Sequence, residues 1–420
     1  MKYNNKRVVM IHPPQLNVLD NKQDPPLGIL YMASVLEEND INVAVVDLGG
    51  IVEENWSINI PYGDIYGITS YTPSYPHAKK ISKIVREINP NALVIVGGAH
   101  PTVMPKETLA EGFFDAIAIG ESEYSWFKFV EEYLDKGNFT SLIYPLPIAN
   151  LDSLPYPARH LLNLNDYSRT VEGRLAANII TGRGCPYNCA YCYKGVFSGV
   201  RLRSAENVIK EMKGIVENYR ITGFHILDDI FTLDKKRLNM LCKSFEDMEI
   251  RFRCNSRPGL ENKDDFDILY KAGCREIAFG IESGSQKILN QVRKGANTET
   301  NKIAIINAKK AGIFTKVYLI VGLPGENRET VEDTKKFITE AKPDSVSLYT
   351  FIPYPGTPIW KDPEKFDMEI IEKDFKNYFI INKDGFGGVV AKPKKIPLEE
   401  LLRLRKDLLD YLRVFYDKKC

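Results

Sequence analysis

No stretch of the 420 residues approaches the roughly 18 consecutive apolar positions that a membrane-crossing helix needs, so membrane insertion by a helix is not expected. An excess of either charge is also missing: 56 Lys and Arg face 55 Asp and Glu, which leaves no broad basic surface for nucleic acid or an anionic membrane. Only a short apolar run precedes His12-Pro13-Pro14, too little for a signal-peptide core, and the expected location is cytoplasmic. Repeats and low-complexity tracts are absent, which argues against a solenoid or a disordered chain. The G-x-G-x-x-G pattern is missing after the first expected strand, and this disfavours a dinucleotide site. Cysteine is sparse as well. There are seven, and three of them fall at positions 185, 189 and 192. In a reducing compartment such crowding reads as a metal site, not a disulfide framework.

What is present is a long alternation of short β-branched runs with helical stretches. Residues 7–11, 42–47, 64–69, 92–96 and 115–119 are apolar enough to be buried on both faces, as strands of a parallel sheet covered by helices are. Residues 28–38 and 77–88 have the length and period of crossover helices. Residues 1–137 are therefore expected to form a doubly wound, Rossmann-like or flavodoxin-like α/β domain, with ligands beyond the carboxyl ends of its strands. Residues 138–172 are rich in proline and read as a linker. A second series follows over 173–358, with strands expected at 177–181, 224–228, 251–255, 276–281, 315–321 and 345–350. Ser204 is placed to cap the first helix between them. Six such units suit a partial (β/α)6 barrel of the TIM type, whose chemistry gathers at the carboxyl ends of its strands. Residues 359–420 form a small, mainly helical accessory region, with Leu401, Leu404, Leu408 and Leu412 along one stripe of a final helix.

The three clustered cysteines lie in the loop that follows the first strand of the second domain: Thr181-Gly-Arg-Gly-Cys185-Pro-Tyr-Asn-Cys189-Ala-Tyr-Cys192. Thiolates spaced in this way on a glycine-rich loop can converge on one corner of a cubane, each on a different iron. Three protein ligands on four irons leave one iron open for another molecule. Zinc is the rival occupant, but a structural zinc takes four ligands, and no fourth Cys or His is near. Cys242, Cys254 and Cys274 fall inside expected elements and read as small buried side chains.

The spacing C-x3-C-x2-C, with Tyr191 before the last cysteine, resembles the signature of the radical S-adenosylmethionine (SAM) superfamily. The likeness extends over roughly residues 150–360. Ile226-Leu-Asp228-Asp229-Ile-Phe231 resembles the second-strand motif that receives the amino group of SAM, Glu282-Ser283-Gly284 the ribose region, and Leu319-Ile-Val-Gly322-Leu-Pro-Gly325-Glu326 the segment beside adenine. Tyr191, Asp228, Asp229, Glu282, Ser283 and Gly322 are thus the candidate SAM-binding residues. A cationic ligand favours carboxylates at a strand's carboxyl end. Capping of the next helix is the alternative for Asp228, Asp229 and Glu282, and simple turning the alternative for Gly322 and Gly325.

The first domain resembles the cobalamin-binding domain fused to one branch of that superfamily, on His12-Pro13-Pro14, Pro25-Pro26-Leu27-Gly28, Gly97-Gly98-Ala99-His100-Pro101-Thr102 and Gly120-Glu121-Ser122-Glu123. Thr69, Ser70, Gly97, Gly98, His100, Gly120 and Glu121 are the candidate cobalamin contacts. D-x-H-x-x-G, the source of an axial histidine elsewhere, is absent, so either cobalt lacks that ligand here or the domain is vestigial and has lost cobalamin. His100 either approaches the cofactor or has a structural, hydrogen-bonded role.

Together the resemblances imply a [4Fe-4S] cluster, SAM and cobalamin as cofactors. They further imply reductive cleavage of SAM to a 5′-deoxyadenosyl radical, a low-potential donor such as flavodoxin or ferredoxin, and a small-molecule substrate. Methylation of an unactivated carbon is the leading expectation. Radical cyclisation, rearrangement or dehydration is the alternative. A tRNA methylthiotransferase fits less well, because no cysteine precedes Cys185, and a simple iron–sulfur electron carrier has no use for the SAM-like motifs. No particular catalytic side chain is legible.

Overall fold

The computed structural model describes residues 6–15, 20–197, 199–379 and 387–417. The described chain divides into two compact units: one runs to Ser168 and takes in Lys194–Leu202, the other holds Arg169–Tyr193 and the chain from Arg203 onward.

In the first unit the apolar runs become a wholly parallel sheet of six strands. Their spatial order is Val43–Asp47, Val8–His12, Ile65–Thr69, Leu93–Gly97, Ala116–Ala118 and Leu142–Ile143. Strand order reverses between Val8–His12 and Ile65–Thr69, the flavodoxin-like switch point beyond which ligands bind. Helices Leu27–Glu38, Tyr75–Ile88 and Glu123–Lys136 cover the sheet. Trp126, Phe129, Ile29 and Ala33 pack on Met10, Ile65 and Ile95 on one face, and Val9, Ile11, Val94 and Val96 are fully buried on the other, so both faces are dry and near-continuous hydrophobic strands are required. Five strands were expected here. The sixth, Leu142–Ile143, comes from the proline-rich stretch, which is built into this unit through Ile148, Leu151, Leu154 and Ala158.

In the second unit six parallel strands stand in chain order: Arg174–Ile179, Gly223–Ile226, Arg251–Ser256, Cys274–Glu282, Phe314–Val321 and Ser345–Thr350. This is the expected half-barrel. A short antiparallel strand, Thr170–Val171, flanks the first of them. Alternation along Phe314–Val321 shows the two faces: Thr315, Val317, Leu319 and Val321 are buried, while Lys316, Tyr318 and Ile320 are partly open. Helices Ala205–Tyr219, Lys235–Asp247, Lys263–Lys271, Thr298–Lys310 and Arg328–Ala341 make the crossovers, and Ser204 caps the first by accepting from Asn207 N. Beyond the half-barrel, Met368–Ile370 pairs antiparallel with Ala391–Pro393. The last helix, Leu398–Asp417, buries the predicted Leu401, Leu404, Leu408 and Leu412 and docks on Arg328–Ala341, with Lys335 Nζ 2.7 Å from Asp407.

Candidate functional site

At the carboxyl end of the first half-barrel strand, the chain is tied down before it becomes a loop. Thr181 donates its N–H to Asp228 Oδ1 at 2.6 Å and its hydroxyl to Asp228 Oδ2 at 2.5 Å, while its carbonyl accepts from Arg237 Nη2 at 2.8 Å. Gly184 turns the chain at φ +86°, and Cys185, Cys189 and Cys192 follow within nine residues of it. Ala190, fully buried between two of them, is clamped by backbone bonds to Val292 O at 2.8 Å and from Ile359 N at 3.2 Å. Cys189 is buried, whereas Cys185 and Cys192 are half-buried, and none of the three is in a disulfide. Among the described residues no three His, Cys, Asp or Glu side chains surround a single-ion position. The donor set is three thiols on one braced loop, which fits a cubane whose ligands each bind a different iron. Cys242, Cys254 and Cys274 are buried in the core, with the Cys242 thiol pushed up to about 12 by burial.

Around this loop stands a polar network. Glu282 ends its strand at φ +68°, a left-handed conformation that is strained for a glutamate, at a point where pairing with the next strand slips. Its carboxylate meets Lys294 Nζ at 2.8 Å, and Lys294 also donates to Tyr191 Oη at 3.1 Å. Burial, then the charges of Glu282 and the nearby sulfurs, holds the Tyr191 phenol well above its usual range and so protonated. Arg257, one residue beyond the third strand, lies with its guanidinium carbon 3.7 Å from the Tyr187 ring centroid and Nη1 4.0 Å from Cys189 Sγ. Lys294 and Arg257 were not legible in the sequence. Lys294 follows a helix with no motif of its own, and only the position of Arg257 at a barrel strand's carboxyl end was a usable signal.

Several of the predicted SAM residues make defined contacts within the chain. Asp228 spends both oxygens on Thr181, and burial raises its carboxyl above the ordinary range despite those bonds. It caps no helix, since Asp234 caps the next one. Asp229 is exposed at the same rim. Ser283 is turned into the protein, with Oγ 3.3 Å from Thr334 Oγ1 and accepting from Ser285 N. Gly322 adopts φ +91° and gives its N–H to Glu326 Oε2 at 3.2 Å. Burial pushes the Glu326 carboxyl up to about 7.

In the first unit the predicted cobalamin residues collect at the carboxyl ends of neighbouring strands, with Thr69 opposite Gly97 in register. A Cβ on Gly98, whose φ is +102°, would sit 2.6 Å from Ser70 O, so this glycine lets two strand ends meet. His100 is buried, its Nδ1 3.2 Å from Thr72 Oγ1 and its ring 4.1 Å from that of Tyr75. Burial, and then Lys79, lowers it to about 4, so the imidazole is neutral. Glu121 is ion-paired with Arg201 at 2.5 Å, and Gly120 N donates to Thr102 Oγ1 at 3.0 Å. At the switch point, His12 carries a buried Nδ1 without a hydrogen-bond partner among the described residues, and burial keeps it neutral. An orphaned polar atom at the place where doubly wound domains bind ligands fits a bound cofactor.

Comparison with known proteins agrees with both halves of this geometry. Residues 179–338 match the radical SAM superfamily, and residues 22–126 match the B12 binding domain. The chain is 33% identical over 386 residues to an uncharacterized methyltransferase, PH0819, of Pyrococcus horikoshii, covering 84% of this chain and 82% of that protein. It is 27% identical to an anaerobic magnesium-protoporphyrin IX monomethyl ester cyclase of Rubrivivax gelatinosus, covering 98% and 78%. Among solved structures, TsrM of Kitasatospora setae, a radical SAM methyltransferase with cobalamin and a [4Fe-4S] cluster bound, superposes with a TM-score of 0.73 at 17% identity, covering 98% of this chain and 89% of that one.

Proposed function

We propose, on the premise that this chain belongs to the radical SAM superfamily and carries a B12 binding domain, that it is a cobalamin-dependent radical SAM enzyme whose reaction methylates an unactivated carbon of a small molecule. The observation that carries this reading is the braced loop that presents Cys185, Cys189 and Cys192 at the carboxyl mouth of the half-barrel. When bound, the cluster and SAM supply a 5′-deoxyadenosyl radical, and cobalamin supplies a carrier for a methyl group.

The residues divide the remaining tasks. Cys185, Cys189 and Cys192 would each hold one iron, and the Thr181–Asp228 bonds fix the loop's root. Asp229, exposed on that rim, offers a carboxylate to the ammonium of SAM. Glu282 is held at the mouth by Lys294, and the fully buried Ala190 and Leu323 keep water from the loop's underside. His12, Thr69, Ser70 and Gly97 mark the cobalamin crevice of the first unit. The external electron donor would be a low-potential one such as flavodoxin or ferredoxin.

The methyltransferase name of the Pyrococcus relative supports methylation, and the cyclase relative supports ring closure as a second reading. Products separate the two. Anaerobically reconstituted protein given dithionite and SAM is expected to release 5′-deoxyadenosine, and Cys185→Ala to fall to background with the first unit still folded. Methylation also expects S-adenosylhomocysteine once hydroxocobalamin is loaded; 5′-deoxyadenosine alone favours the cyclase. Full activity in Cys185→Ala contradicts the ligand assignment.

A further inference from the structure

Arg257 is a buried cation without an anion. It is 7% exposed, and among the described residues no carboxylate lies within ion-pair distance of it. Its contacts are the Tyr187 ring at 3.7 Å, the Lys294 carbonyl, which accepts from Nη2, and Cys189 Sγ at 4.0 Å from Nη1. Lys294, the other buried cation nearby, is neutralised by Glu282. A guanidinium keeps its charge in any surroundings, and a buried charge left uncompensated is strongly destabilising. The counter-charge must come from something that sits against Cys189.

We infer that Arg257 is a positioning residue for the cluster's electron chemistry: its fixed charge at Cys189 compensates the cluster's negative charge and favours the reduced form. Three thiolates on a [4Fe-4S]2+ core carry a net charge of about −1, and one electron from an external reductant takes it to about −2. A cation a few ångströms from one ligating sulfur stabilises the second state more than the first, because attraction scales with the charge it faces. Tyr187 holds the planar guanidinium in that place by stacking, as an ammonium could not be held. The inference rests on the cluster assignment above.

The test is a potentiometric titration of the reconstituted protein, followed by the electron paramagnetic resonance signal of the reduced cluster, without SAM so that no SAM contact of Arg257 contributes. Arg257→Gln is expected to lower the reduced-to-oxidised ratio at a fixed potential about tenfold, equal to 59 mV for one electron. Arg257→Lys keeps the charge and is expected to shift it by less than half of that. Should Arg257→Gln fail to take up four irons, Tyr187→Leu, which frees the guanidinium without deleting it, carries the same expectation of a lower midpoint. Variants with full iron and an unchanged midpoint overturn the inference and leave the cluster intact. Wild-type protein that takes up no four-iron cluster overturns the functional reading instead.

Discussion

Glu326 shows how one buried carboxylate can link the loop after the fifth half-barrel strand to pH. Its two oxygens accept from Gly322 N at 3.2 Å and from Thr330 Oγ1 at 2.5 Å, and burial lifts it to about 7. A carboxyl raised from an ordinary 4.5 contributes stability that is fully present below 4.5 and lost as pH rises through about 7, roughly 3 kcal/mol in all. Glu326→Gln does not titrate. Thermal unfolding of wild type should therefore lose ground to Glu326→Gln between pH 5 and pH 8, and parallel curves would contradict the assignment. The aspartate pair separates by the same kind of reasoning. Asp228→Asn should lower iron bound per chain by loosening Thr181, whereas Asp229→Asn should leave iron unchanged and weaken SAM binding by about tenfold, the loss of one charged hydrogen bond. Equal effects on both readouts would refute that division. The sequence made these acids candidates through their place at a strand end, but which of them turns back to brace the loop depends on Thr181, 47 residues earlier.

At the scale of elements, the long runs were legible because strands buried on both faces must be apolar throughout. All six half-barrel strands fall where the runs predicted, within a few residues, and the leucine stripe of Leu398–Asp417 faces the interior. What escaped are the short pieces: Leu142–Ile143 and the pair Met368–Ile370 with Ala391–Pro393, whose two or three residues carry no period. One turn has a structural reason beside the one read from the sequence: Gly98 is needed because Ser70 N donates to Gly97 O at 2.7 Å and Ser70 O receives His100 N at 3.2 Å. Gly98→Ala should destabilise the first unit by about 1–3 kcal/mol from the positive φ alone, and more from the approach to Ser70 O. Urea unfolding followed by tryptophan fluorescence checks this, since Trp56 and Trp126 both lie in that unit; an unchanged midpoint would show that the strand ends do not need the close approach.

At the scale of the whole molecule, the chain leaves the half-barrel unit directly after Cys192 and Tyr193, contributes Lys194–Leu202 to the first unit, and returns at Arg203. Arg201 secures that excursion through Glu121 and the Ile148 carbonyl. Two domain families in one chain, with a three-thiol loop at the mouth of one sheet and an orphaned histidine at the switch point of the other, make up the account. Its central claim is that three protein thiolates leave one iron available to SAM. Electron paramagnetic resonance of the dithionite-reduced, reconstituted protein tests this most directly: adding SAM is expected to shift the signal of the reduced four-iron cluster, and a spectrum unmoved by saturating SAM would mean that no iron is open and that the claim is wrong.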